Sequence, residues 1–209
     1  MIQHQLLAQL SQYIYSVNTS YWDHYLEQDG VVLGVKKSGD ADIVVFRGSD
    51  NLEDWRRDLD EVPKYHPILG FIHQGFLDGM DKVAQTLIPA LGPSIVVTGH
   101  SLGAARAWIL SGLLSAACKP AAQVTVFGSP RPGFKKLREV IMDGGSVNTS
   151  YRDRLDPVTE VPYLLGEYVH VVEPIPVDCA PGKIEPFPPE DHFIQNYVKA
   201  LQLYEAGGQ

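Results

Sequence analysis

The sequence predicts an α/β architecture, a mostly parallel central sheet flanked by helices, on three observations. Short β-branched apolar runs alternate with longer helical patterns along the chain. The first two such runs, residues 31–37 and 42–46, are joined by Ser38-Gly39-Asp40, a hairpin signal that opens the sheet. At the centre, residues 95–98 run into Gly99-His100-Ser101-Leu102-Gly103 and then into an apolar, proline-free stretch to residue 117. That order is strand, sharp turn, helix, with one serine held at the apex.

The remaining elements follow in order. Leu6, Leu7, Leu10, Ile14 and Val17 fall at helical spacing, predicting an amphipathic helix over 4–17 that packs on the sheet. Tyr13, Tyr15, Tyr21, Trp22 and Tyr25 cluster around its exit, as core packing or as the lining of an acyl pocket. The second strand delivers Phe46-Arg47-Gly48-Ser49 at its carboxyl end, where ligands sit in α/β sheets, although a serine there also suits a plain turn. Residues 51–62 suit a short helix with one apolar stripe, Leu52, Trp55, Leu59 and Val62, in a densely charged remainder. Residues 63–70 are expected to be irregular, and a helix is expected from His73 to about residue 90, with His73 structural rather than basic in role. Further strands are expected at 124–127, 146–151 and 168–172, and a helix at 134–142. The proline-rich segment 174–189 is expected as a stiff loop, before a last helix at 193–204.

Composition bounds the function. With 209 residues the chain can bury one substantial core, and 44% hydrophobic with 20% charged residues is ordinary for a globular protein and gives no support to disorder. The net charge of −8 argues against nucleic acid and against electrostatic docking on anionic lipid, which leaves uncharged or apolar ligands. The first residues carry no basic segment ahead of an apolar core, and no run reaches membrane-spanning length. The expectation is a cytoplasmic protein without a transmembrane segment, release by lysis or a signal-less route aside, with Cys118 and Cys179 as free thiols. No Cys/His cluster or phosphate-binding glycine loop calls for a metal or cofactor. Oligomeric state is not legible.

Three residues carry the chemistry. Ser101, Asp156 and His192 each follow a strand pattern or open a helix, in the order Ser, Asp, His that the α/β-hydrolase fold uses. A serine hydroxyl needs a neutral imidazole to take its proton, and that imidazole needs a carboxylate to fix its tautomer. Asp156 precedes Pro157, which holds it extended at a strand end. The oxyanion of the tetrahedral intermediate calls for two donors, the Leu102 N–H in the turn and Ser49 as the second source.

These motifs, together with Asp54-Trp55, His73-Gln74-Gly75-Phe76, Gly128-Ser129-Pro130-Arg131, Asp156-Pro157-Val158, Val161-Pro162 and Asp191-His192, resemble those of the class 3 lipases. The resemblance implies an α/β-hydrolase fold and a lipase or esterase acting through an acyl-enzyme on Ser101. His192 would be the general base, Asp156 its orienting acid, Ser49 and Leu102 the oxyanion hole. It also makes 51–62 a lid, with Leu52, Trp55 and Leu59 facing the cleft. The narrow apolar stripe weighs against strong adsorption at an oil–water interface. Short-chain esters, monoacylglycerols and phospholipid acyl esters are therefore as well supported as long-chain triglyceride, with transient contact with lipid aggregates. A catalytically inactive binding module, or a thioesterase or acyltransferase with the same triad, stays open at this point.

Overall fold

The computed structural model describes residues 1–16, 18–49, 62–163, 166–180 and 189–206. One sheet contains β1 (His24–Gln28), β2 (Val31–Ser38), β3 (Ala41–Phe46), β6 (Ser94–His100), β7 (Gln123–Phe127), β8 (Val147–Asp153) and β9 (Ile175–Val177), in spatial order β1-β2-β3-β6-β7-β8-β9. The first three strands pair antiparallel and the rest parallel, so the sheet is mostly parallel, as expected. A separate hairpin joins β4 (Pro63–His66) to β5 (Gly70–His73). The helices are α1 (His4–Tyr13), α2 (Gln74–Leu77), α3 (Met80–Ala90), α4 (Leu102–Ala116), α5 (Lys135–Asp143) and α6 (Ile194–Ala206).

The central strands are apolar on both faces because both faces are covered. Ile43, Val45 and Val96 pack with Leu7 and Leu10 of α1 and Leu201 of α6. Val44, Phe46, Ile95, Val97, Val124 and Val126 turn the other way, toward Val83 of α3, Trp108 and Leu110 of α4, and Leu137 of α5. Each such side chain contributes about 1.5–3 kcal/mol on burial. Helix α4 is apolar nearly all round and buried over most of its length, lying between the sheet and its neighbouring helices.

Four expectations are corrected. Residues 63–73 form the β4–β5 hairpin, whose turn is organised by His66: its Nδ1 accepts from Ile68 N and Leu69 N at 3.2 and 3.1 Å, and its Nε2 donates to Asp81 at 3.0 Å. The helix expected from His73 is split, because Gly79 at φ 81 leaves the helical region and restarts the chain as α3. Residues 168–172 form no strand; Val169 makes one isolated bridge, to Gly133. The last strand is β9 instead, inside the proline-rich segment, where its edge position tolerates Pro176. The candidate lid residues Leu52, Trp55 and Leu59 lie outside the described residues.

The parallel register sets the place of the site. Phe46 aligns with Gly99 and Gly99 with Val126, while His100 aligns with Phe127 and Phe127 with Tyr151. The connections after β3, β6 and β8 therefore open on one rim, at the carboxyl ends of the strands.

Candidate active site

Ser101 sits at φ 60, ψ −128, a strained conformation for a residue with a side chain. Packing enforces it. A Cβ on Gly99 would stand 2.4 Å from Gly103 O, and one on Gly103 would stand 2.3 Å from Phe46 O. Only glycines let β6, the turn and α4 approach this closely. The Ser101 N–H donates to Phe127 O at 3.1 Å, and its carbonyl accepts from Ala104 N and Ala105 N as α4 begins. The Ser101 Oγ is fully buried and has no hydrogen-bond partner among the described residues.

Asp156 and His192 meet across the rim. Both are buried, and His192 Nδ1 donates to Asp156 Oδ2 at 2.7 Å. That bond fixes the tautomer with Nε2 as an acceptor, and Nε2, like the serine oxygen, is buried without a partner among the described residues. Both groups thus have hydrogen-bonding capacity that no described group uses. The aspartate is anchored by its own turn: Oδ1 accepts from Val158 N at 2.9 Å, and Thr159 Oγ1 donates to Asp156 O at 2.8 Å. Glu160, at the end of that turn, is gripped by Arg131 and Arg152 at 2.7 and 2.8 Å. Burial pushes the Asp156 carboxyl up, but the charge and bond of His192, with bonds from Tyr197 and Val158 N, outweigh it and hold the carboxyl below its ordinary value.

Three further residues complete the arrangement, and sequence reasoning did not single out their roles. Tyr197, buried in α6, donates its hydroxyl to Asp156 Oδ2 at 2.5 Å. His100, beside Ser101, donates from Nε2 to the His192 carbonyl at 2.6 Å, and its ring lies 4.6 Å from that of His192. The other nitrogen, Nδ1, accepts from the Tyr15 hydroxyl at 3.0 Å. Burial, then the charge of His192, pushes His100 down to about 3, so it is a neutral linker rather than a base. Helical or strand periodicity marks these three only as core residues. The one available signal was the place of His100 inside the turn motif.

Gly48 brings the β3 connection against Ser101. A Cβ there would stand 2.3 Å from the Tyr15 hydroxyl, 2.7 Å from His100 O and 3.3 Å from Ser101 Cβ. The half-buried Ser49 follows it. Leu102 opens α4, where its N–H has no partner within the helix. Ser49 and His192 share the wall of a cavity of about 220 Å³, together with Gln12, Tyr15, His100 and residues 193–195. Among the described residues, no group of three or more His, Cys, Asp or Glu is placed to hold a metal ion. No described helix is long and apolar enough to cross a membrane. Cys118 and Cys179 are both free.

Comparison with known proteins puts a family beside this geometry. The family model described as "Lipase (class 3)" matches residues 43–166, more than half of the chain, and His192 lies beyond that match. A secreted mono- and diacylglycerol lipase A of Penicillium cyclopium is 28% identical over 166 residues, covering 75% of this chain and 54% of its own length. A lipase of Rhizomucor miehei is 32% identical over 144 residues, covering 62% of this chain and 40% of its own. The chain thus spans about half the length of the curated relatives it matches. The solved Rhizomucor miehei triacylglyceride lipase superposes with a TM-score of 0.69 at 20% identity, covering 84% of this chain and 78% of that one, which establishes the fold. The Penicillium relative is secreted by name, as is one from Fusarium solani, and this overturns the expectation of a cytoplasmic protein.

Proposed function

Because the chain belongs to the class 3 lipases, we propose that it is a one-domain serine ester hydrolase acting on lipid or small carboxylic esters. Ser101 is the nucleophile, His192 the general base, Asp156 the orienting carboxylate, and Leu102 and Ser49 the oxyanion donors. One observation carries the reading. A buried His192 is locked by Asp156 through Nδ1 while its Nε2, like the Ser101 oxygen, is buried with its hydrogen-bonding capacity unused among the described residues.

In the reaction, Ser101 Oγ attacks the ester carbonyl carbon as His192 Nε2 takes the hydroxyl proton. The carbonyl oxygen becomes an oxyanion at the Leu102 N–H and Ser49. The bond from carbon to the alcohol oxygen breaks, and His192 returns the proton to that oxygen, leaving an acyl-Ser101 ester. Water then attacks the acyl carbon with His192 again as base, releasing the carboxylic acid and restoring Ser101. The imidazolium in both steps is stabilised by Asp156, which stays ionised.

The test is turnover of p-nitrophenyl esters from acetyl to palmitoyl by wild type and Ser101→Ala, with fluorophosphonate labelling. The expected result is labelling of Ser101 and a loss of about 10⁴-fold or more in the variant. Equal turnover by both proteins, or an unlabelled Ser101, would overturn the proposal.

A further inference from the structure

Asp156 lies beyond the end of β8, which closes at Asp153, so its place depends on the turn Pro157–Glu160 that follows it. Arg131 ties that turn to the connection after β7. Its backbone N–H donates to Val161 O at 2.8 Å, its Nη1 to Glu160 O at 2.6 Å, and its Nη2 to Glu160 Oε2 at 2.7 Å. Arg152, in β8, donates to the other carboxylate oxygen, Glu160 Oε1, at 2.8 Å. His170 lies within reach of the charges of Arg131, Glu173, Glu160 and Arg152. Burial, then the Arg131 charge, holds it below its ordinary value, so near neutral pH it adds no third cation.

The same connection also touches the triad. Gly128 sits at φ 56, and a Cβ there would stand 2.8 Å from Asp156 Oδ2 and 3.1 Å from His192 Cε1. Residues 128–131 therefore bracket the carboxylate, with bare backbone against the Asp156–His192 pair at one end and a guanidinium on the Asp156 turn at the other. The Glu160 side chain is 40% exposed, and an ion pair so placed contributes only about 0–1 kcal/mol. Geometry is the larger stake, since a misplacement of about 1 Å at a reacting group can cost about 10²-fold in rate. We propose that Arg131 is a positioning residue for the hydrolysis proposed above, on which this step rests: by holding Glu160 it keeps the Asp156 carboxylate at bonding distance from His192 Nδ1.

The test compares Arg131→Met, Arg131→Lys, Glu160→Gln and the double variant Arg131→Met/Glu160→Gln with wild type on p-nitrophenyl butyrate, with rates normalised to sites titrated by a fluorophosphonate. Arg131→Met is expected to lower kcat about tenfold or more with KM little changed. It is also expected to move the acid limb of kcat/KM to lower pH by a few tenths, because an aspartate drawn away from the imidazolium stabilises it less. The sign discriminates, since loss of a cation by itself would move that limb to higher pH. The double variant is expected to be no slower than Arg131→Met alone, as both changes act through one contact. If Arg131→Met does not fold, Arg131→Lys carries the kcat and pH comparison with the same sign, because the charge is kept and the fork is lost. A limb that stays in place or moves to higher pH, or losses that add in the double variant, overturns the assignment while wild-type turnover and labelling of Ser101 keep the hydrolase reading intact. A wild type that neither turns over the ester nor labels overturns both.

Discussion

Tyr197 and His192 bond to one and the same oxygen, Asp156 Oδ2, at 2.5 and 2.7 Å. The hydroxyl draws charge from the carboxylate that would otherwise be shared with the imidazole alone. Tyr197→Phe is therefore expected to strengthen the hold of Asp156 on the imidazolium and move the acid limb of the kcat/KM profile to higher pH by a few tenths, with activity down about 3–10-fold. A lowered rate with an unmoved limb would assign Tyr197 to packing only. The pH–rate profile of the two proteins on one soluble ester decides it.

His100 ties two segments to the turn that carries Ser101. Its replacement by leucine removes the bond to the buried His192 carbonyl, at about 1–3 kcal/mol, and the contact to the half-buried Tyr15 hydroxyl. His100→Leu is expected to cut kcat/KM about 10- to 100-fold and slow fluorophosphonate labelling in parallel. Full-rate labelling of a folded variant would show that His192 keeps its place unaided.

Asp153 predicts a pH dependence of stability. It is fully buried; Oδ1 accepts from Cys179 N at 3.0 Å, while Oδ2 has no partner among the described residues. Burial raises its carboxyl from 3.8 to about 6, against the bonds from Cys179. Between those values the folded chain holds more of the proton than the unfolded chain does, so this group's contribution falls as pH rises from about 4 to 6 and stays low above. The cost at neutral pH is on the order of 2–3 kcal/mol. Asp153→Asn is expected to raise Tm relative to wild type by an amount that grows over that window. A Tm difference that is flat from pH 4 to 8 would contradict it.

Gly103→Ala is expected to destabilise the fold by about 3 kcal/mol or more, because the new Cβ meets the Phe46 backbone carbonyl at 2.3 Å and neither β3 nor α4 has room to retreat. Thermal unfolding, or loss of soluble protein on expression, measures this. Retention of wild-type Tm would mean that the turn is looser than its packing indicates.

The parts of the molecule legible in the sequence are those fixed by local sterics. The tight turn at Ser101 demands Gly99 and Gly103, the hairpin at Ser38-Gly39-Asp40 demands a reversal, and the central strands demand burial on both faces. Asp156 was legible through Pro157. What escaped was fixed by distant partners. The β4–β5 hairpin depends on His66 reaching Asp81, and β1, a half-exposed edge strand, has no apolar alternation to announce it. Residues 168–172 have the right pattern for a strand, but β9 takes the edge of the sheet beside β8. His100 and Tyr197 are ordinary buried residues, and Tyr15 a half-buried one, until the fold sets His100 against His192, Tyr197 against Asp156 and Tyr15 against His100.

The pairing of Tyr15 and His192 through His100 has a consequence for biosynthesis. Helix α1 and the segment leading into α6 are at opposite ends of the described sequence, yet both are needed to complete the surroundings of Ser101. Synthesis proceeds from the amino end, so a ribosome-bound chain can build β6 and its turn long before His192 is made. Such a nascent chain would hold Ser101 without His192 beside it. On the proposed hydrolase reading, competence would wait until the segment carrying His192 and α6 docks on α1.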